Sequence, residues 1–156
     1  MEKPLKQQII EALMANLEAQ MITTPARPDV QLRSIEWLRD PVQVSAAHPS
    51  LNFFDGPDVE VDSGNTSLGR TRNVAMVARL ILEAGERGAA EMVTLYTAEI
   101  IRVLESDMQL GGLINQIFGI SIEPFFDKVS VPICGAFIEF TLQYRIEWAN
   151  PYARGS

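Results

Sequence analysis

Cys134-Gly-Ala-Phe-Ile-Glu-Phe-Thr-Leu-Gln-Tyr-Arg-Ile-Glu-Trp148 is the stretch that decides the fold. It alternates throughout. Cys134, Ala136, Ile138, Phe140, Leu142, Tyr144, Ile146 and Trp148 share one parity, and from Glu139 onward Thr141, Gln143, Arg145 and Glu147 share the other. Side chains on a strand point alternately to opposite faces, so the stretch reads as one strand with a dry side and a wet side. It is rich in β-branched and aromatic residues and contains no proline. At about 3.3 Å per residue it spans roughly 50 Å, two to three times an ordinary strand. A strand of that length either crosses a whole sheet or runs past it to meet a neighbour.

Working outward, residues 4–21 predict an amphipathic helix. Leu5, Ile9, Leu13 and Leu17 recur every four residues, with Ile10, Met14 and Met21 on the same broad side, and Pro4 suits the first turn. Pro25 and Pro28 then break the chain. Val30 to Leu38 reads as a strand whose apolar parity switches near Ser34, as at a bulge or an edge, and Val42–Val44 as a short continuation. Residues 45–73 are polar and rich in turn residues, with Asp55-Gly56-Pro57 and Ser63-Gly64-Asn65 bracketing a small strand from Asp58 to Asp62. So long an excursion points to a loop or arm that binds a partner.

Val74 to Glu83 predicts a strand with Val74, Met76, Ala78, Leu80 and Leu82 on one face, helix being the competing reading. Glu86 to Met108 predicts a helix whose stripe is Ala89, Met92, Val93, Tyr96, Ile100, Val103 and Leu104. After Gly111-Gly112, residues 113–123 alternate again, with Ile114, Phe118, Ile120 and Ile122 on one face; Pro124 and Pro132 flank a connector to the long strand. Separated blocks of this kind predict an α+β fold over residues 1–156 as a single domain. The expected architecture is a mostly antiparallel sheet with an over-long C-terminal strand, two main helices on one face, and one long polar loop or hairpin excursion. Residues 149–156 read as a tail.

Composition narrows the function classes. The chain has 156 residues, 47% hydrophobic and 21% charged, with a formal net charge of −7. Nothing in it resembles a basic stripe for nucleic acid, an apolar run long enough for a membrane, or a signal peptide at Met1–Gln8. One cysteine excludes an internal disulfide and a cysteine-based zinc cluster. Its position on the dry face of the long strand makes Cys134 a packing residue rather than a nucleophile. His48, the one histidine, sits before Pro49 in the polar excursion, with no nearby Ser or Cys placed as a nucleophile; a solvated loop histidine outweighs a catalytic one.

Asp55, Asp58, Glu60 and Asp62 cluster as a hard-cation site would. Counting Asp58 as the first position of a calcium loop, however, puts Gly64 and Gly69 where such a loop needs glycine one residue earlier and a glutamate, so metal gives way to an acidic patch facing water or a basic partner. The glycines form no phosphate-binding pattern. Neither a cofactor, a metal nor an enzyme is expected. Arg70 and Arg72 follow directly, and the acidic and basic sets could pair head-to-tail between identical subunits or remain two separate solvated patches. Arg145 on the wet face and Tyr152 beyond the long strand complete the candidate interface.

The helix of residues 4–21, the excursion of residues 45–73, the helix of residues 86–108 and the closing Phe137-Ile-Glu-Phe-Thr-Leu-Gln-Tyr-Arg-Ile-Glu-Trp-Ala-Asn-Pro-Tyr152 together resemble the tail terminator (tail completion) proteins of long-tailed bacteriophages. The resemblance implies a virion protein of the tail and neck, assembled in the host cytoplasm. Its subunits form a homohexameric ring that ends the tail tube, with the tube protein and the head–tail connector protein as partners and DNA passing through the lumen without specific binding. A different neck, connector or minor tail protein is the first alternative. A small-molecule-binding α+β domain, with its pocket between the sheet and the helix of residues 86–108, is the second.

Overall fold

The long strand is an interior strand of a six-stranded sheet. The structure is a computed structural model and describes residues 2–38, 48–83, 88–127 and 133–155. Helix α1 (Leu5–Glu18) continues through a π-helical turn (Ala19–Thr23), and α2 (Ala89–Ser106) is followed by a 3₁₀ turn (Leu110–Gly112). The strands are β1 (Ser34–Trp37), β2 (Ser50–Thr66), β3 (Gly69–Glu83), β4 (Gln116–Asp127), β5 (Ile133–Glu147) and β6 (Asn150–Arg154). Their order is β1-β2-β3-β5-β4, with β1 parallel to β2 and every other pair antiparallel. β4 leaves β5 after Gln143, and β6 takes up the same side of β5 at Ile146 and Glu147. This is the α+β architecture that the blocks of sequence predict.

The dry face of β5 is buried from Cys134 to Ile146. Cross-strand partners share a face, so Leu82, Leu80, Ala78, Met76 and Val74 of β3 extend the same layer. Both helices pack into the one core this layer forms: α1 through Leu5, Ile9, Ile10, Leu13 and Leu17, α2 through Val93, Tyr96, Ile100, Val103 and Leu104. Each such side chain contributes about 2 kcal/mol on leaving water, so core burial, rather than any surface ion pair at under about 1 kcal/mol, sets the stability.

The structure departs from the expected elements at several places, among them Asn150–Arg154, expected as part of a tail, which form β6. Val30 and Leu32 are buried but precede β1; the Leu32 N–H bonds the Met21 carbonyl and the Arg33 N–H the Pro49 carbonyl, so pairing as a strand begins only at Ser34. The parity switch near Ser34 therefore marks the start of β1, an edge strand. Residues 42–44 and 45–47 lie outside the described residues.

The polar excursion is not a loop or free arm from Ser50 on. It is the β2–β3 hairpin of the main sheet, because Gly56-Pro57 and Ser63-Gly64-Asn65 fall at two irregularities of one strand instead of at turns. In β4 the Gly119 bulge shifts the register between Phe118 and Ser121, so Ile114, Phe118, Ile120 and Ile122 do not share a face. Ile117 points inward and Phe118 outward, and Pro124 sits within β4, where an edge strand tolerates its missing N–H. Finally, β5 stops at Glu147, the chain turns through Ala149 at φ 57°, and Trp148 is exposed instead of joining the dry face.

Gly135 is the tightest point of the sheet. A Cβ there would collide with the Leu80 carbonyl oxygen of β3 and lie 2.7 Å from Phe125 Cζ of β4. Gly135→Ala is therefore expected to cost about 3 kcal/mol or more through overpacking against backbone, read as a fall in the urea midpoint.

Candidate functional site

The most elaborate polar cluster stands where the hairpin leaves the core. The irregularity between Asp55 and Asp58 turns both carboxylates toward the helix side of the sheet, opposite Met76 and Val74. There Lys6 Nζ, in the first turn of α1, lies 3.0 Å from Asp55 Oδ2 and 3.9 Å from Asp58 Oδ2. Trp37 Nε1 donates to Asp55 Oδ1 at 2.9 Å. Arg72 donates from Nε to Asp58 Oδ1 at 2.6 Å and from Nη2 to the Asp58 carbonyl at 3.0 Å, while the Tyr144 hydroxyl donates to Asp58 Oδ2 at 2.6 Å. One cluster thus ties α1, β1, β2, β3 and β5 together.

Its electrostatics are those of a closed network. Burial works against the charge of Asp55, but the hydrogen bonds from Lys6 and Trp37 outweigh it and hold the carboxyl below its ordinary value. The hydrogen bond to Asp58 raises Arg72 further. Burial first, then the bond to Asp58, pushes the Tyr144 hydroxyl well above its ordinary value, so it serves as a donor and not as a base. Burial likewise raises the Cys134 thiol, as suits a packing residue.

The remaining interface candidates separate. Glu60 faces Arg70 across the hairpin, 3.6 Å apart, and the Arg70 guanidinium lies 5.6 Å from the centre of the Trp148 ring. Arg145 is on the opposite face, where it donates to the Gly64 carbonyl, to Thr71 Oγ1 at 2.7 Å and to Thr66 Oγ1 at 3.0 Å. Asp62 is exposed on β2, and Tyr152 is exposed on β6. Asp58, Glu60, Arg70 and Arg72 thus find their opposite charges within the same chain, in cross-strand pairs. Asp58 and Glu60, expected on a wet face, are half-buried. Lys6, Trp37 and Tyr144 were not among the expected site residues. A tyrosine on the dry face of a strand that nears its end was the one available signal, since a buried hydroxyl needs a partner.

Two other features could meet a ligand or partner. An open cleft of about 670 Å³ lies beside the first half of α2, bordered by Leu32, Met92 and Tyr96 and by the polar groups of Asp29, Arg33, His48 and Glu83. His48 Nδ1 is there 3.3 Å from Ser50 Oγ. Separately, large apolar side chains are exposed at two corners of the sheet. Leu68 (66% exposed), Trp148 (48%) and Tyr152 (40%) crowd the β2–β3 and β5–β6 turns, while Phe118, Ile122 and Phe126 (51%) line β4. Among the described residues no group of three or more His, Cys, Asp or Glu is placed to hold a metal ion, and no helix is long and apolar enough to cross a membrane. Neither a family model nor a curated protein matches the chain.

The network makes two predictions. Tyr144→Phe removes a hydrogen bond to a charged acceptor and is expected to cost about 2 kcal/mol by denaturant unfolding. Asp55 has a folded-state pKa below its unfolded value, so its stabilisation is complete above about pH 4 and is lost as pH falls through the folded value. Asp55→Asn should therefore lower the unfolding midpoint at pH 7 and lose that deficit in acid, which paired denaturation curves at pH 7 and pH 3 would read.

Proposed function

We propose that the protein is a structural virion subunit that closes into a ring at the end of a phage tail tube, with the tube protein on one side and the head–tail connector protein on the other. The sixfold count and the two partners come from the resemblance to tail terminator proteins. The observation that carries the reading is the pair of exposed apolar corners on one small sheet. A closed ring of identical subunits is built from heterologous contacts, and these need two different surfaces on each copy. A neck or minor tail protein would use the same surfaces, and only the structures it joins would differ.

The cleft beside α2 favours a second reading, a small-molecule-binding domain. It joins apolar walls to several polar groups, as a ligand site does. Native mass spectrometry over a concentration series separates the two. Closed hexamers, together with arrest of tail-tube growth when the protein is added to assembling tubes, are the outcome expected of the ring. A monomer that leaves tubes growing and whose melting temperature rises with a small polar ligand would replace the ring reading with the second one.

A further inference from the structure

We propose that the two apolar corners are the two halves of one interface: the β5–β6 corner of one copy seats on the β4 edge of the next. This rests on the ring reading only in requiring a second copy. The corners cannot satisfy each other within one chain. Cys134 pairs with Phe126 at the start of β5, whereas Trp148 lies beyond its end, a separation of roughly 45 Å at 3.3 Å per residue, and even Phe118, opposite Thr141, is roughly 23 Å from Trp148.

The chemistry of the two corners is complementary. On β4 and β5, Ser121 pairs with Glu139 and Glu123 with Phe137, which makes Glu123 and Glu139 diagonal neighbours on the outer face. Both are exposed, and neither has an ion-pair partner among the described residues. Arg79 of β3, opposite Phe137, is diagonal to Glu139 on the same face, but on the side toward β4 the two carboxylates repel and a further cation brought between them is favoured. The ring of Phe125 packs at a tilt of 44° against Phe137 beside them, with centroids 5.3 Å apart, and adds aromatic faces that suit a guanidinium. Across the strand, Ile122 and Phe126 project to the helix side. Because an edge strand is one backbone thick, a single partner reaches both sets.

The other corner offers what this edge lacks. Trp148 is fixed by its Nε1–H to the Thr66 carbonyl at 2.7 Å and by Arg70 against its ring, so it is a preorganised aromatic anchor of the kind that dominates interfaces. Tyr152 and Arg154 are exposed two positions apart on the adjoining β6, and Arg154 is a cation with no carboxylate partner among the described residues. Asp62 is exposed on the neighbouring hairpin, so the corner is not uniformly basic and Arg154 is the cation on which the pairing turns.

The test is a charge swap within one chain. Wild type, Glu123→Arg/Glu139→Arg, Arg154→Glu and the combined triple variant are compared by sedimentation velocity and native mass spectrometry, with far-UV circular dichroism as a check that these exposed substitutions leave the fold intact. The wild type is expected to assemble, each separate reversal to raise the concentration needed by about tenfold or more, and the triple variant to recover most of that loss. A triple variant no better than the double one overturns the pairing. An assembled wild type that ignores every reversal also overturns it, yet leaves the ring reading standing. A wild type that stays monomeric overturns the copy-to-copy contact, and the tube-arrest assay then decides the ring reading by itself.

Discussion

The pairing of β3 with β5 is the constraint on which the other elements depend. It runs without a register shift from Arg70 opposite Ile146 to Glu83 opposite Ile133. With both strands locked in one register, every inward residue of one faces an inward residue of the other, and the core layer beneath α1 and α2 follows. A slip of one residue would turn the whole apolar set of one strand to the opposite face. Gly135 marks how closely the strands approach, since no side chain fits between it and Leu80. β2 and β4, which flank the pair, are irregular where β3 and β5 are not.

That difference explains what was legible in the sequence. β5 alternates without interruption, so parity alone gave its faces. In β3 parity gave the faces of Val74 to Glu83 with helix as a competing reading, residues 69–73 were legible only as part of the polar excursion, and the 3.6-residue stripe gave α2. β2 was hidden because its two irregularities reset the alternation and place Gly56, Pro57 and Gly64 inside a paired strand, where glycine and proline ordinarily announce a turn. The same effect inverted Phe118 in β4: the extra residue at Gly119 changes the parity on one side of it only. A bulge is fixed by long-range pairing with the neighbouring strand, and a period-2 pattern read locally carries no sign of it. The cluster at Asp55 and Asp58 was legible only as a concentration of charge. Its partners Lys6, Trp37 and Tyr144 lie far away in sequence, and only the topology brings them together.

Placing Asp58 against Arg72 and Glu60 against Arg70 within the chain also changes what those charges can do for an assembly. A half-buried carboxylate that already accepts bonds from Arg72 and Tyr144 would have to lose them before pairing with another copy. Each such bond to a charged group contributes roughly 1.5–3 kcal/mol, so exchanging them gains little. Charges with no ion-pair partner among the described residues, Glu123, Glu139 and Arg154, carry no such penalty. The hairpin cluster is better suited to hold α1 against the sheet, because Lys6 is the residue through which the helix reaches it.

The edges of the sheet bear on the kind of assembly that is possible. Among the described residues, β1 covers β2 only as far as Phe53 and β4 pairs on one side alone, so within that set two stretches of backbone are open to strand addition. Both carry the devices that oppose it: Gly56-Pro57 at an irregularity in β2, and a bulge at Gly119 followed by Pro124 in β4. Proline offers no N–H to an incoming strand, and a bulge breaks the spacing a flat ladder needs. A contact made along β4 is therefore dominated by side chains, and Ile122, Phe126, Glu123 and Glu139 are what it has to work with. Side-chain packing of that kind fixes the angle between neighbours, as a ring requires. Backbone pairing along an unprotected edge would instead favour open-ended growth.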